Sequence, residues 1–137
     1  MNAQNWISIA AILSAVIAYF AKNFIFEPLL EFKRVKGKVQ NRLRYHSNII
    51  TNGEFPADIV RPIKEELRQL SCDIEERYYA IAFVKWLFWV LRVPNVSDLS
   101  NVARQMIFLS NATGSARHID KNIAAIEQID KTLRIVI

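Results

Sequence analysis

Residues 6–26 of the chain read WISIAAILSAVIAYFAKNFIF. No charged side chain lies between Asn2 and Ala21. The hydrocarbon core of a bilayer is about 30 Å thick, and a helix needs about 20 apolar residues to cross it. Lys22 interrupts the far end, but a lysine one turn from the end of a span can place its ammonium among the headgroups. We therefore predict a transmembrane anchor over residues 1–28, formed by one helix.

A cleaved signal peptide and a buried core helix are the two other interpretations of this stretch. A signal peptide carries a basic region at its start, and the first five residues contain no basic side chain. A polar mature sequence should also follow, whereas residues 24–30 are mostly apolar. A core helix without a polar face needs protein on every side, and a chain of 137 residues offers little of it. The composition therefore favours a span.

Basic residues cluster directly after the apolar stretch. Seven basic and two acidic side chains lie between Lys22 and His46, a net charge of +5 that equals the net charge of the whole chain. The remaining eleven basic and eleven acidic residues cancel. Positively charged flanks of a span stay in the cytoplasm. We therefore expect a single-pass protein of the bacterial inner membrane, with the N-terminus outside and the following domain in the cytoplasm.

The part of the chain after the anchor, residues 29–137, is predicted to be a helical cytoplasmic domain. Three glycines and four prolines are too few for the turns of a barrel or a sandwich. The predicted fold class is all-α, with one N-terminal transmembrane helix followed by a small bundle of about four helices around one core. Pro28 predicts a kink or a new helix start between the two parts.

Apolar residues at helical spacing predict these four helices and the faces that they bury. The first, residues 29–47, is basic, and its apolar stripe is Phe32, Val35, Val39 and Leu43. The second begins near Ala57 or restarts at Pro62, and its inward positions are Ile63, Leu67, Leu70, Ile74 and Ile81. The third starts at a Ser97 cap and ends at Asn111 and Gly114, with inward Leu99, Val102, Ala103, Met106 and Leu109 or Phe108. The last, about 117–134, turns one face of Ile119, Ile123, Ile126, Ile129 and Leu133 inward.

Residues 78–91 form a second unusual stretch, which is rich in aromatic side chains and includes Trp86 and Trp89. Its apolar part is too short for a comfortable span and contains Lys85 near its centre. Three placements stay open. The stretch is a buried helix of the domain core, an interfacial helix with Trp86 and Trp89 at headgroup level, or a re-entrant segment.

No pattern of catalytic or metal-binding residues emerges from the sequence. The two histidines, His46 and His118, lack the spacing of a helical zinc motif, and three scattered glycines cannot form a phosphate loop. Cys72, the one cysteine, is followed by Asp73, whose negative charge favours an unreactive thiol. We therefore expect a protein that is not an enzyme, with no catalytic residue, no metal and no cofactor.

Small residues form a ridge along the predicted span. Ala10, Ser14 and Ala18 are four residues apart and share one helix face. Small side chains let transmembrane helices approach closely, and a serine can hydrogen-bond to a neighbouring helix. We predict that this ridge packs spans into a homo-oligomer, with a tetramer favoured. Lys22 would then supply the one charged ring near the membrane boundary of a pore.

The basic helix carries six candidate anion-binding residues: Lys33, Arg34, Lys36, Lys38, Arg42 and Arg44. Two interpretations stay open. These cations fix the topology and touch anionic lipid of the bilayer, which contributes about 1 kcal/mol per residue near the surface. Alternatively, they bind the phosphates of a nucleotide or a single-stranded oligonucleotide, and Tyr45 is the one aromatic residue nearby for stacking. The sequence contains no base-reading motif, so recognition of duplex DNA is not expected.

Three short motifs carry a resemblance to known proteins: Phe26-Glu27-Pro28-Leu29, Leu67-Arg68-Gln69-Leu70-Ser71 and Leu109-Ser110-Asn111. In this order, the chain resembles a scattered bacterial family of unknown function, whose small members have one N-terminal span and a helical cytoplasmic domain. It is also similar to the membrane effectors of two-gene antiphage systems such as Hailong, in which a nucleotidyltransferase product controls a homo-oligomeric channel. The resemblance implies a pore whose opening depolarises the cell. The alternative is a tether that anchors a partner at the inner membrane, without catalysis or a pore.

Overall fold

The computed structural model describes residues 3–81 and 93–134, and every regular element in these ranges is helical. In chain order the elements are α1 (Ala3–Ala21), a π-helical turn (Lys22–Phe26), α2 (Glu27–Tyr45), α3 (Ser47–Thr51), α4 (Ala57–Tyr79), α5 (Val96–Ala112), a 3₁₀ turn (Ala116–His118) and α6 (Ile119–Arg134). The all-α prediction is thus confirmed for the described residues, which contain no strand. Trp86 and Trp89, with most of the aromatic stretch, lie outside them.

The first three elements, α1, the π-helical turn and α2, form one uninterrupted helix. Ala21 and Glu27, on either side of the turn, both have right-handed helical backbone angles. Pro28 explains the wider turn, because its nitrogen carries no hydrogen and its ring clashes with the carbonyl four residues earlier in an α-helix. The Glu27 N–H instead bonds to the Lys22 carbonyl, five residues back. The chain therefore does not restart at Pro28; the wider turn absorbs the proline and the helix continues.

Helices α2 and α4 pack against each other in antiparallel directions. The rings of Phe32 and Tyr78 meet edge to face with centroids 5.7 Å apart, while Arg42 contacts Glu66 near the other end. The buried residues of α2 are Leu29, Phe32, Lys36, Val39 and Leu43, and those of α4 are Val60, Ile63, Leu67, Leu70, Ser71, Ile74 and Tyr78. The inward positions predicted for α4 are confirmed, and Ile81 just beyond it is also buried. The helix starts at Ala57 and contains Pro62.

Helix α5 packs against α4 and is capped by Asn95 rather than by the predicted Ser97. The Asn95 side-chain oxygen accepts hydrogen bonds from the Asp98 N–H at 2.7 Å and from the Ser97 hydroxyl at 2.6 Å. Ser97 lies inside the first turn because the helix begins at Val96. The predicted inward residues Leu99, Val102, Ala103, Met106 and Leu109 are buried. Gly114 follows the helix with φ +84°, a backbone conformation that favours glycine.

Helix α6 turns inward most, but not all, of the face that its isoleucines predict, and Ile126 is partly buried. Ile123 is 40% exposed, whereas the buried residues are Asn122, Ala125, Ile129 and Leu133. Asn122 explains this difference, because its Nδ2 donates a 2.8 Å hydrogen bond to the Ile50 carbonyl of α3. The inward placement predicted for Ile123 is therefore wrong, while that of Ile129 and Leu133 is confirmed.

Candidate functional site

Helix α1 is apolar and exposed. The most hydropathic part of the helix Gln4–Tyr45 has none of its residues buried, and side chains such as Ile7 and Ile17 are 69% and 67% exposed. Among the described residues, this is the one helix long and apolar enough to cross a bilayer. A core helix of a soluble domain would be covered by the rest of the chain, so that interpretation does not describe α1.

The small-residue ridge of Ala10, Ser14 and Ala18 lies uncovered on α1. The Ser14 hydroxyl donates to the Ala10 carbonyl at 2.8 Å, and the Ser8 hydroxyl makes the same type of bond to the Gln4 carbonyl at 3.1 Å. The Ser14 donor is therefore satisfied within its own helix. Its oxygen keeps the capacity to accept a hydrogen bond from a neighbouring span.

Lys22, the charge expected at the membrane boundary, is paired with Glu27. The Lys22 Nζ lies 3.7 Å from Glu27 Oε1, and both side chains are mostly exposed. The two residues are five apart, the spacing that a π-helical turn brings to one side of the helix. Glu27 therefore offsets the Lys22 charge at this level. A shallow apolar hollow of about 480 Å³ lies beside the turn and is lined by Ile17, Phe20, Ala21, Phe24 and Ile25.

Five of the six candidate anion-binding residues of α2 lie on its accessible surface, but two of them already have acidic partners. Arg34 pairs with Glu31 one turn earlier, and the Arg42 Nε lies 2.9 Å from Glu66 Oε1 on α4. The exposed cations of α2 that form no ion pair with a described residue are Lys33, Lys38 and Arg44. These three are the most available to an anionic ligand.

Lys36 is the sixth residue, and it lies in the apolar stripe of α2. It is 6% exposed and occupies the buried position between Phe32 and Val39. Burial lowers the pKa of Lys36 from the ordinary value of 10.5, and the charge of Lys33 lowers it further. The placement predicted for Lys36 on the exposed cationic surface is therefore wrong. Val35, predicted for the stripe, is only partly buried.

Charged and aromatic side chains meet at the C-terminal end of α2. The Glu66 carboxylate forms an ion pair with the Arg42 Nε at 2.9 Å and lies 3.0 Å from the His46 Nε2, so both residues are held against α4. The Tyr45 ring is 74% exposed, with the Arg42 guanidinium carbon 6.0 Å from its centroid. An exposed ring beside an ordered guanidinium is suited to stacking with a nucleobase. Sequence reasoning identified Arg42 and Tyr45 but missed Glu66, because that contact joins two different helices.

The distance of each cation of α2 from the apolar segment determines whether it can reach lipid headgroups or only a soluble ligand. At 1.5 Å per residue, Lys33 lies about 10 Å beyond Phe26 and Arg44 about 27 Å beyond it. The potential of an anionic leaflet falls off within a Debye length, about 8–10 Å in physiological salt. When α1 crosses a bilayer, Lys33 therefore reaches the headgroup region, whereas Arg44 extends into the aqueous phase. The distal cations suit a soluble partner better than a lipid.

Two of the motifs that carry the family resemblance contact each other in the folded domain. Arg68 donates from Nη2 to Asn111 Oδ1 at 2.9 Å and from Nε to Ser110 Oγ at 3.4 Å, which joins α4 to the end of α5. The Ser71 hydroxyl donates to the Ala103 carbonyl at 3.0 Å. The role of these motif residues in the structure is thus to hold α5 against α4.

A groove between α5 and α6 is a site that the sequence patterns do not reveal. It has a volume of about 520 Å³ and a mixed polar and apolar lining that includes Arg104 and Lys121. The two cations lie on separate helices with a turn between them. Charge patterns within one helix could not bring them together, so only the packing of α5 against α6 identifies the groove.

Comparison with protein-family models, with curated proteins and with solved structures gives no match to this chain. Within residues 3–81 and 93–134, no group of three or more histidine, cysteine, aspartate or glutamate side chains could hold a metal ion. The most distinctive feature of the described chain is one helix, Gln4–Tyr45, in which an exposed apolar half continues into a cationic half.

Proposed function

We propose that this chain is a homo-oligomeric membrane effector whose α1 helices assemble into an ion-conducting pore in the bacterial inner membrane. The observation that carries the proposal is the unbroken helix Gln4–Tyr45, which joins an exposed apolar half to a cationic half. The positive charge after the apolar half supports an arrangement with the N-terminus outside and the helical domain in the cytoplasm.

The exposed side chains of α1 support insertion and assembly. Leaving a large apolar side chain in water costs about 1.5–3 kcal/mol, and Ile7, Ile12 and Ile17 are 69%, 64% and 67% exposed. A bilayer removes this cost. Because α1 has no continuous polar side, one copy cannot line an aqueous path, so a pore requires several copies, with a tetramer favoured. The uncovered ridge with Ser14 at its centre lets the backbones of neighbouring spans approach closely.

The cationic half supports control by an anionic nucleotide or oligonucleotide. Lys38 and Arg44 have no ionic partner in the described part of the chain, and Tyr45 presents an exposed ring beside Arg42. A ligand that binds one arrangement of the assembled helices more tightly than another shifts the assembly toward it. Because α2 continues into α1 as helix, a change in the packing of α2 would be transmitted to the span.

A role in antiphage defence is supported by the resemblance to membrane effectors of two-gene systems. In those systems, a nucleotidyltransferase product controls a homo-oligomeric channel. An exposed apolar helix joined to a cationic helix supplies the two parts that such an effector needs, a span that can assemble and a surface that can bind phosphate. Opening of the pore would depolarise the cell.

A membrane tether without catalysis or a pore is the alternative function. The length of α2 favours it, since 19 residues of helix extend about 28 Å from the apolar segment. Both functions require insertion in the membrane, but only the first passes ions.

Ion flux from liposomes that contain only this protein separates the two functions. We expect flux from the wild type, and smaller oligomers with weaker flux from Ser14→Leu, because a bulky side chain keeps the spans apart. Ser8→Leu is the matched control, since Ser8 makes the same hydrogen bond but lies about 120° around the helix from Ser14. If the protein inserts normally but no ions pass, the pore is ruled out and the membrane tether is the remaining function. If Ser14→Leu and Ser8→Leu form oligomers of the same size as the wild type, the small-residue ridge does not pack the spans together.

The same liposomes test control by an anionic ligand. A single-stranded oligonucleotide added on the domain side should alter the flux, and the double variant Lys38→Gln/Arg44→Gln should lose this response. Lys33→Gln is the control, because Lys33 is equally exposed but close enough to the headgroups to interact with lipid. Flux that ignores the oligonucleotide, or an equal response in all three proteins, would remove α2 as the controlling surface.

A further inference from the structure

The groove between α5 and α6 is open to solvent and combines the volume of a small-molecule site with cationic, amide and aromatic side chains. Its volume of about 520 Å³ lies within the range of about 300–1,000 Å³ that is usual for ligand pockets. Helix α5 contributes Arg104, Gln105 and Phe108, and α6 contributes Lys121 and Gln128. The groove thus offers cations for a charged group together with an aromatic ring and amides for a planar one.

The two cations of the groove are available to a ligand. Arg104 makes one long hydrogen bond, from Nε to the Ser100 carbonyl at 3.4 Å, and neither Arg104 nor Lys121 forms an ion pair within the described residues. None of the described lining residues is acidic. The nearest acids along α6, Asp120 and Glu127, project about 100° or more away from Lys121. An anionic group in the groove would therefore meet two cations and no carboxylate among the described lining residues.

Contacts within the domain order the aromatic ring and the amides. Phe108 is partly buried, and the His118 ring lies edge-on to it with centroids 6.2 Å apart. The Gln105 Nε2 donates to Gln128 Oε1 at 3.2 Å, which joins the two helices. The Gln105 oxygen and the Gln128 amino group keep their capacity to accept and to donate. An acceptor and a donor beside an aromatic ring match the polar edge and the face of a nucleobase.

The groove belongs to the part of the domain that lies away from the apolar segment. Asn122 of α6 bonds to the Ile50 carbonyl, and Asp130 accepts a 3.2 Å hydrogen bond from the Gln40 Nε2. Helix α6 therefore lies beside the distal half of α2, where Gln40 is about 21 Å beyond Phe26 along the helix. This distance exceeds the Debye length of about 8–10 Å, so a soluble ligand fits the position better than a lipid headgroup.

From these contacts we infer that the groove between α5 and α6 binds a small phosphate-bearing ligand with a planar ring, a mononucleotide in chemical class. Arg104 and Lys121 hold the phosphate, Phe108 contacts the ring, and the two glutamines pair with its polar edge. The site is separate from the cationic surface of α2. Its occupancy does not depend on whether α1 conducts ions.

Calorimetric titration of the full chain in detergent tests this site, with adenosine monophosphate and inorganic phosphate as separate probes. We expect adenosine monophosphate to bind the double variant Arg104→Gln/Lys121→Gln about tenfold more weakly or worse, because charge-assisted hydrogen bonds to the phosphate are lost. The matched control is Arg61→Gln/Lys131→Gln, which removes the same two charges from exposed positions outside the groove. Phe108→Leu should weaken binding of adenosine monophosphate and leave binding of phosphate unchanged.

Each other outcome overturns a defined part of the inference. If both double variants bind adenosine monophosphate equally weakly, the net charge of the protein attracts the ligand and the groove is not its binding site. If inorganic phosphate binds the wild type as tightly as adenosine monophosphate, the planar ring contributes nothing to binding. If neither probe binds, the groove is not a site for this class of ligand. Lys121→Gln alone replaces the double variant if far-UV circular dichroism shows that the latter is misfolded. Liposome flux on the same preparation reports separately on the pore.

Discussion

Replacement of Lys36 by methionine should raise the free energy of unfolding of the helical domain. Lys36 is 6% exposed in the apolar stripe of α2, and it makes no ion pair or hydrogen bond within the described residues. Its aliphatic stem fills the stripe, while its ammonium is only partly desolvated and gains no carboxylate there. Methionine keeps an unbranched apolar stem in the same place. Because the ammonium keeps part of its hydration, the cost is smaller than for a fully buried polar group, and we expect a gain of up to about 1 kcal/mol.

The gain should depend on pH, because burial, and next the charge of Lys33, lowers the pKa of Lys36 in the folded protein from its ordinary value of 10.5. Below the folded-state pKa, both states hold the proton and the full cost of burial is present. Between the folded-state pKa and 10.5, the unfolded state binds more protons, so the stability of the wild type rises with pH. The advantage of the methionine variant is therefore largest at neutral pH and shrinks toward 10.5.

Guanidinium unfolding of the full chain in detergent, followed by far-UV circular dichroism, measures this difference at neutral pH and again at about pH 10. Lys33→Met is the control, because Lys33 is exposed on the same helix and its replacement should change the stability by less than about 0.5 kcal/mol. A Lys36→Met variant that is less stable than the wild type at neutral pH would refute the reasoning. So would a gain of the same size at both pH values.

Four further predictions concern topology and backbone geometry. In a cysteine-free background, a thiol label at Gln4→Cys should react from outside intact cells and one at Asn52→Cys should not, and the reverse pattern would place the domain outside. Gly114→Ala should destabilise the domain by about 1–3 kcal/mol in thermal unfolding, because Gly114 has φ +84° and an added Cβ would lie 3.0 Å from a valine side chain. Gly37→Ala, with open space at the added Cβ, should instead stabilise α2 by up to about 1 kcal/mol. Pro28→Ala restores a backbone N–H and should return the π-helical turn to α-helical spacing. Spin labels on either side of the turn would report this as a changed distance between them. An unchanged distance would show that the proline does not cause the turn.

Local periodicity predicts most of the buried faces, and the structure confirms them where a helix has one apolar stripe. Leu67, Leu70 and Ile74 of α4 are buried as predicted, because residues three and four apart fall on one side of a helix whatever packs against it. Helix α6 departs from this rule because Asn122 and the isoleucines compete for the inward side. The hydrogen bond from Asn122 to α3 decides between them, and no pattern within α6 contains that information.

The N-terminal cap of α5 and the place of Lys36 also depend on contacts between distant residues. Asn95 and Ser97 are both suited to cap a helix. The Tyr78 hydroxyl donates to the Pro94 carbonyl at 2.7 Å, which positions the backbone just before Asn95. Lys36 has the residue type of an exposed position, yet it belongs to the stripe that α2 turns toward the core. In both cases the sequence offers two choices and the packing of another helix selects one.

The sequence by itself determines that residues 4–26 form an apolar helix and that a cationic helix follows, because hydropathy, charge and helical period are properties of consecutive residues. Only the tertiary structure decides which cations stay available to a ligand. Glu66 pairs with Arg42, Lys36 is buried, and the cations of α5 and α6 come to share one groove. The availability of a charge depends on which groups approach it in space and how much water they displace, and a linear pattern does not specify either.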